Sequence, residues 1–112
     1  MKIIFSSQNR DWESLLDERF GRAIGFNLYD EESGILSWHS NEDNLNAAHG
    51  AGTQAAQFVI NSGALVLISG KVGPKAFDLL DKTGIEIYNS DVDKLKSIYN
   101  AYKQGKLIKQ TK

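Results

Sequence analysis

Two stretches of this 112-residue chain have the composition for chemistry: His49-Gly50-Ala51-Gly52-Thr53 and Gly70-Lys71-Val72-Gly73-Pro74. Each stands just before an apolar helical pattern, so each places glycine backbone, which a ligand can approach closely, at the start of a helix. A helix start presents unpaired N–H groups and a partial positive charge, which suits an anion. Lys71, Arg10 and Arg22 could add formal charge, and His49, one of only two histidines, could donate a hydrogen bond or coordinate a metal. The plainer alternative is that both stretches are only turns.

Other chemistries fit the residues less well. The second loop lacks the Gly-Lys-Ser/Thr ending of a phosphate loop, and no strand precedes a G-x-G-x-x-G, so nucleotide binding is disfavoured. A metal-dependent nuclease needs carboxylates on its strands, and Lys2–Ser7 (KIIFSS) has none. Ser6, Ser7, Ser69 and His49 do not form a G-x-S-x-G elbow, and no acid is evidently poised behind His49, which argues against an enzyme. With no cysteine, thiolate ligation of zinc or of an iron–sulfur cluster is excluded, as is a disulfide framework. A formal net charge of −1 argues against a nucleic-acid-coating protein.

The elements that must position these loops follow from apolar period and turn chemistry. Length and a hydrophobic fraction of 41% predict a single soluble domain over residues 1–112. No apolar run approaches the roughly 20 residues of a membrane helix, and the apolar start is short for a signal peptide, so a cytoplasmic protein is expected. Lys2–Ser7 reads as a buried strand, and residues 8–22 as a long charged loop with apolar anchors at Trp12, Leu15, Leu16 and Phe20. Residues 23–30 and 35–40 alternate around a glycine-ended turn and predict a hairpin, with His39 a surface residue facing away from Trp38. Residues 41–48 read as a polar connection without helical period.

Beyond it, residues 52–62 predict a helix stopped by Gly63, residues 64–69 a strand covered on both faces, and residues 74–83 a helix with Pro74 first and Gly84 as its stop. Residues 85–89 predict a strand. A last helix would open through Ser90 as cap with Asp93 three residues on, burying Val92, Leu95, Ile98, Tyr99 and Tyr102 and ending at Gly105. Residues 106–112 read as a short, basic, partly mobile tail. The order implies a mixed sheet covered by helices, with 64–69 and 85–89 joined by a right-handed crossover. If the first strand is parallel to these two and 23–30 runs antiparallel beside it, both glycine loops and the arginine-bearing loop meet at one carboxyl edge, where open α/β sheets bind ligands.

Taken in order, Phe20-Gly21-Arg22-Ala23, Asn41, His49-Gly50-Ala51-Gly52, the Gly70-to-Pro74 loop and Gly84-Ile85 resemble the dinitrogenase iron-molybdenum cofactor biosynthesis family, the NifX-like domains. The likeness extends from the first strand to Gly105 and Leu107. It implies an α/β, ribonuclease H-like three-layer fold: a five-stranded mixed sheet with one antiparallel strand, in the order β-β-β-α-β-α-β-α. It also implies a non-catalytic carrier of an iron–molybdenum or iron–sulfur cofactor or its precursor in nitrogen fixation, with nitrogenase or cluster-assembly proteins as partners.

The positions that match the family's loops are Phe20, Gly21, Arg22, His49, Gly50, Gly52, Gly70, Gly73 and Pro74. Together with Lys71 they give a candidate cofactor-binding set of Arg22, His49, Gly50, Gly52, Gly70, Lys71 and Gly73, with His49 the candidate metal ligand. No histidine- or cysteine-rich stretch follows Gly105, where some members of the family carry one. Two other readings stay open: a small regulatory or interaction domain that binds another anion or grips a protein through Trp12 and the 8–22 loop, and a small enzyme using His49 as a base.

Overall fold

A computed structural model describes residues 1–112. Ten elements follow one another: β1 (Lys2–Ser7), β2 (Gly25–Asp30), β3 (Ile35–Ser40), α1 (Glu42–Leu45), α2 (Ala51–Ser62), β4 (Val66–Ser69), α3 (Pro74–Lys82), β5 (Glu86–Asn89), α4 (Leu95–Lys103) and β6 (Ile108–Lys109). The sheet order is β3-β2-β1-β4-β5-β6. β1, β4 and β5 are parallel neighbours, whereas β2 runs antiparallel to β1 and to β3, and β6 antiparallel to β5.

Alternation along the strands divides the core between the two faces of the sheet. Ile4, Leu67 and Ile87 point to the α2/α3 side, where they pack with Phe26, Val59, Phe77 and Leu80. Ile3, Phe5, Val66 and Ile68 point the other way, onto Leu16, Leu95 and Ile98. β1 and β4 are central and apolar on both faces, which is why neither alternates with polar residues. The result is three layers: α2 and α3, the sheet, and α4 with the 8–22 loop.

Four expectations need correction. The sheet has six strands, not five, because the segment read as a short, partly mobile tail contributes β6. Two residues are too few to show a strand period; the segment is held by Ile108 against Asn89, Lys109 against Tyr88, and the Gln110 N–H donating to the Ile87 carbonyl at 2.8 Å. The connection at 41–48 contains the single turn α1, too short for an apolar period. α4 begins at Leu95, not just after Ser90, and Ser90 does not cap it; its hydroxyl donates to the Asp91 carbonyl. Residues 93–96 instead pair with the 8–22 loop: Leu16 N–H donates to the Asp93 carbonyl, while Leu95 and Lys96 N–H donate to those of Ser14 and Trp12. Val92 is consequently 43% exposed and outside the buried stripe.

His39 and Trp38 do project to opposite faces, but His39 is half-buried rather than open. Its ring centroid lies 5.4 Å from that of Phe58 on α2, and its Nε2 is 3.1 Å from the Ser37 hydroxyl.

Candidate functional site

The carboxyl ends of β1, β4 and β5 lead to one edge, and α2, α3 and α4 all begin there. Their N-termini differ in one respect. α4 has its first donors satisfied by the Ser14 and Trp12 carbonyls of the 8–22 loop. α2 and α3 have neither a capping side chain nor an acidic residue in the first turn. The orphan N–H groups of the first turns of α2 and α3 therefore have no acceptor within the protein.

Gly50 precedes α2 in the left-handed region, φ 76°, where a side chain would be strained. Its carbonyl accepts from the Gln54 N–H at 2.9 Å and from the Thr53 hydroxyl at 2.9 Å, so Thr53 secures the turn rather than facing a ligand. Gly73 precedes α3 in an extended conformation with Pro74 first in the helix, and its carbonyl accepts from the Phe77 N–H at 2.9 Å. The two helix starts touch: a Cβ on Gly52 would lie 3.7 Å from the Ala76 Cβ.

Close backbone packing holds this pair of turns in place. Gly21 sits against α2, and a Cβ there would come within 2.7 Å of the Gly52 nitrogen. Gly70 sits against the 8–22 loop, and a Cβ there would come within 2.3 Å of the Glu18 carbonyl oxygen. Phe20 is buried in the α2/α3 core. Asn41 amide N–H donates to the carbonyls of Gly21 (3.2 Å) and Ala23 (2.9 Å), tying this turn to the end of β3. Asp17, 1% exposed, accepts from the backbone N–H groups of Arg19 and Ile24 and from the Arg19 guanidinium. The Ser6 hydroxyl donates to the Asp17 carbonyl and shares a 2.7 Å hydrogen bond with Ser69, so the ends of β1 and β4 and the loop form one unit.

The structure places Gly50 and Gly52 at the start of α2, with Gly52 facing Ala76 of α3, places Gly73 at the start of α3, and leaves Gly70 buried beneath the loop. His49 is exposed, immediately before Gly50, with no intramolecular hydrogen bond or ion pair; Lys71 is exposed and likewise free of an ion pair. Arg22 is employed within the fold: its Nη1 donates to the carbonyls of Asn44 and Leu45, both at 3.2 Å, and so closes the C-terminal end of α1. Trp12 lies among Phe5, Tyr29 and Tyr99, with centroids 5.8, 4.9 and 5.4 Å away, and anchors the loop to the core.

Sequence reasoning missed Gln110. Its side chain holds the second glycine loop through both the N–H and the C=O of Val72. A glutamine in a polar basic tail carries no sequence signal for this contact. An open depression of about 780 Å³ runs beside that loop, lined among others by Glu18, Gly70, Lys71, Asn89, Asp91 and Lys106. It reaches Lys71 and Gly70 but not His49 or Gly52, so the main hollow adjoins the helix starts rather than enclosing them. No group of three or more His, Cys, Asp or Glu is placed to hold a metal ion.

The fold is a three-layer α/β domain with two uncapped helix starts in contact at the carboxyl edge of a mixed sheet. The chain belongs to the dinitrogenase iron-molybdenum cofactor family, whose profile matches residues 1–105. It is similar to the orange protein of Desulfovibrio gigas, solved in its apo form, at 32% identity and TM-score 0.92 over 98% of this chain and 92% of that one. A NifB-like protein from Thermotoga matches at 30% identity and TM-score 0.83, over 96% of this chain and 91% of its own. An uncharacterized protein of Methanocaldococcus jannaschii is 29% identical over 111 residues, which is 97% of this chain and 91% of the relative. No helix is long and apolar enough to cross a membrane.

Proposed function

We propose that this chain is a non-catalytic, cytoplasmic carrier for a preformed anionic metal cluster: an iron–molybdenum or iron–sulfur cofactor or its precursor, exchanged with nitrogenase or cluster-assembly proteins. The observation that carries this reading is the contact between the uncapped first turns of α2 and α3. Each helix start is equivalent to roughly half a positive charge, so two side by side repel each other, and an anion against both relieves that repulsion. The family's name supplies the class of anion.

The donor set fits such a cargo. With no cysteine and no clustered metal ligands, the chain cannot build a cluster from iron and sulfide. It offers exposed backbone N–H groups at Gly73 and Lys75 beside the start of α2, with the Lys71 ammonium and the His49 imidazole. Sulfide and oxide ligands on a finished anionic cluster accept hydrogen bonds from such groups, and a single imidazole can take one metal position. Transient holding follows, since one ligand and a few hydrogen bonds release a cargo more readily than several thiolates. We read the order β3-β2-β1-β4-β5, with β2 reversed, as a ribonuclease H-like sheet to which β6 is added.

Anaerobic titration with isolated iron–molybdenum cofactor, followed by visible absorption, tests the proposal. Wild type should bind saturably, and His49→Ala and Lys71→Ala should each bind about tenfold more weakly, the effect of losing about 1.4 kcal/mol. Absence of binding by the wild type refutes it.

A further inference from the structure

Gln110 lies beyond the part of the chain that the family profile matches, which ends at residue 105. Its side chain nonetheless behaves as an extra peptide group. Oε1 accepts from the Val72 N–H at 2.9 Å, and Nε2 donates to the Val72 carbonyl at 2.7 Å. The amide can be oriented only one way, because an N–H needs an acceptor and a carbonyl needs a donor. Oε1 also accepts from the Asn89 amide at 3.0 Å, and Asn89 in turn donates to the Gly70 carbonyl at 3.2 Å. The bond from the Gln110 N–H to the Ile87 carbonyl seats this side chain at the end of the β5–β6 ladder.

These bonds bear directly on the candidate site. The peptide unit joining Val72 to Gly73 is planar, so fixing the direction of the Val72 carbonyl fixes the Gly73 N–H in the opposite direction. Val72 is anchored from its other side by its side chain, 1% exposed in the α2/α3 core. Gly70 is anchored by Glu18 and Asn89, so Lys71 stands between two immobilised residues. The Val72 N–H, occupied by Gln110, is withdrawn from any ligand, whereas the Gly73 N–H has no acceptor within the protein.

We propose that Gln110 is a positioning residue for anion binding: through Val72 it aims the Gly73 N–H and sets the place of Lys71 at the start of α3. The inference rests on the carrier reading above and assigns part of its affinity to a residue outside the matched family region. Loss of the side chain leaves the loop held by the Val72 side chain and by Gly70 against Glu18 and Asn89, with the Val72 peptide groups released, so the Gly73 donor must be ordered when the ligand binds.

Two measurements on the full chain separate this role from a purely structural one. Amide hydrogen exchange by NMR reads the loop without any ligand, and titration with isolated iron–molybdenum cofactor reads affinity. Gln110→Ala should raise exchange at Val72 about tenfold, shift the Gly73 amide resonance and weaken cofactor binding about tenfold, with exchange in β1 and β4 unchanged. Gln110→Glu keeps the acceptor and loses the donor, so Val72 should stay protected while the Gly73 resonance shifts and binding weakens. Unchanged Val72 exchange in Gln110→Ala, or unchanged cofactor affinity beside a loosened loop, overturns the proposal. Failure of wild type to bind cofactor while Val72 is protected overturns the carrier reading, and this inference with it; it is distinguishable because the loop contact then stands without a ligand to serve.

Discussion

Gly21 is packed so tightly on Gly52 that a Cβ on the first would stand 2.7 Å from the backbone nitrogen of the second. Two short motifs distant in the chain, Phe20–Ala23 and His49–Gly52, are thus parts of one contact. The turn after the 8–22 loop sits on the first turn of α2, the element whose free donors define the candidate site.

Gly21→Ala should therefore affect both stability and binding. The added methyl meets backbone rather than a flexible side chain, so the turn or the helix must shift, at a cost of about 1–3 kcal/mol. Urea denaturation should show the lowered midpoint. Cofactor titration of the folded variant should show weakened binding, because the methyl crowds the Gly52 N–H. An unchanged midpoint would refute the contact.

The second loop gives a sharper contrast within four residues. A Cβ on Gly70 would lie 2.3 Å from the Glu18 carbonyl oxygen, whereas one on Gly73 would meet nothing within 4 Å, and Gly73 has an ordinary negative φ. Gly70→Ala should destabilise by about 2 kcal/mol or more, and Gly73→Ala by less than about 0.5 kcal/mol. Thermal melts of the pair check this, and equal losses would show that the loop packs differently.

His49→Ala should leave stability unchanged within about 0.5 kcal/mol, since the ring is exposed and makes no hydrogen bond in the fold. Any fall in cofactor affinity can then be assigned to the imidazole itself. A large loss of stability would instead make His49 a structural residue.

Glu31 supplies a pH dependence of defined sign. Its carboxylate accepts from the Tyr99 hydroxyl and the Lys103 ammonium, clamping the β2–β3 turn onto α4. The Tyr99 hydrogen bond first, and then Lys103, hold its pKa below the usual 4.5, while burial and the same carboxylate push the Tyr99 hydroxyl up. A folded-state pKa below the unfolded value gives stability that is complete above about pH 4.5 and is lost as the pH falls through the folded value. Tyr99→Phe should cost about 1–2 kcal/mol at pH 7 and less at pH 3, where wild type has lost part of the same contribution. Denaturation curves at the two pH values measure the difference, and an equal cost at both would rule out the linkage.

The sequence alone determined what local chemistry can determine. β1, the β2–β3 hairpin, α2 and α3 are legible because hydrophobic period, a left-handed Gly63 and an N-terminal Pro74 act over a few residues. The order of those elements sufficed to bring the two glycine loops to one edge, and the spaced motifs pointed to the family. Tertiary structure decided the rest, because the deciding partners are distant in the chain. Ser90 was expected to cap α4, yet the carbonyls of Trp12 and Ser14 outcompete it by offering two backbone acceptors at the helix start. Arg22 Nη1 is tied to the open carbonyls of α1, a helix with no apolar signal, a contact that the spacing of the chain does not announce. Gln110 reaches Val72 across 38 positions, a bond no local pattern encodes. Sequence thus marks where free donors will stand; only the folded backbone selects which of them, on α2 and α3 but not α4, remain free.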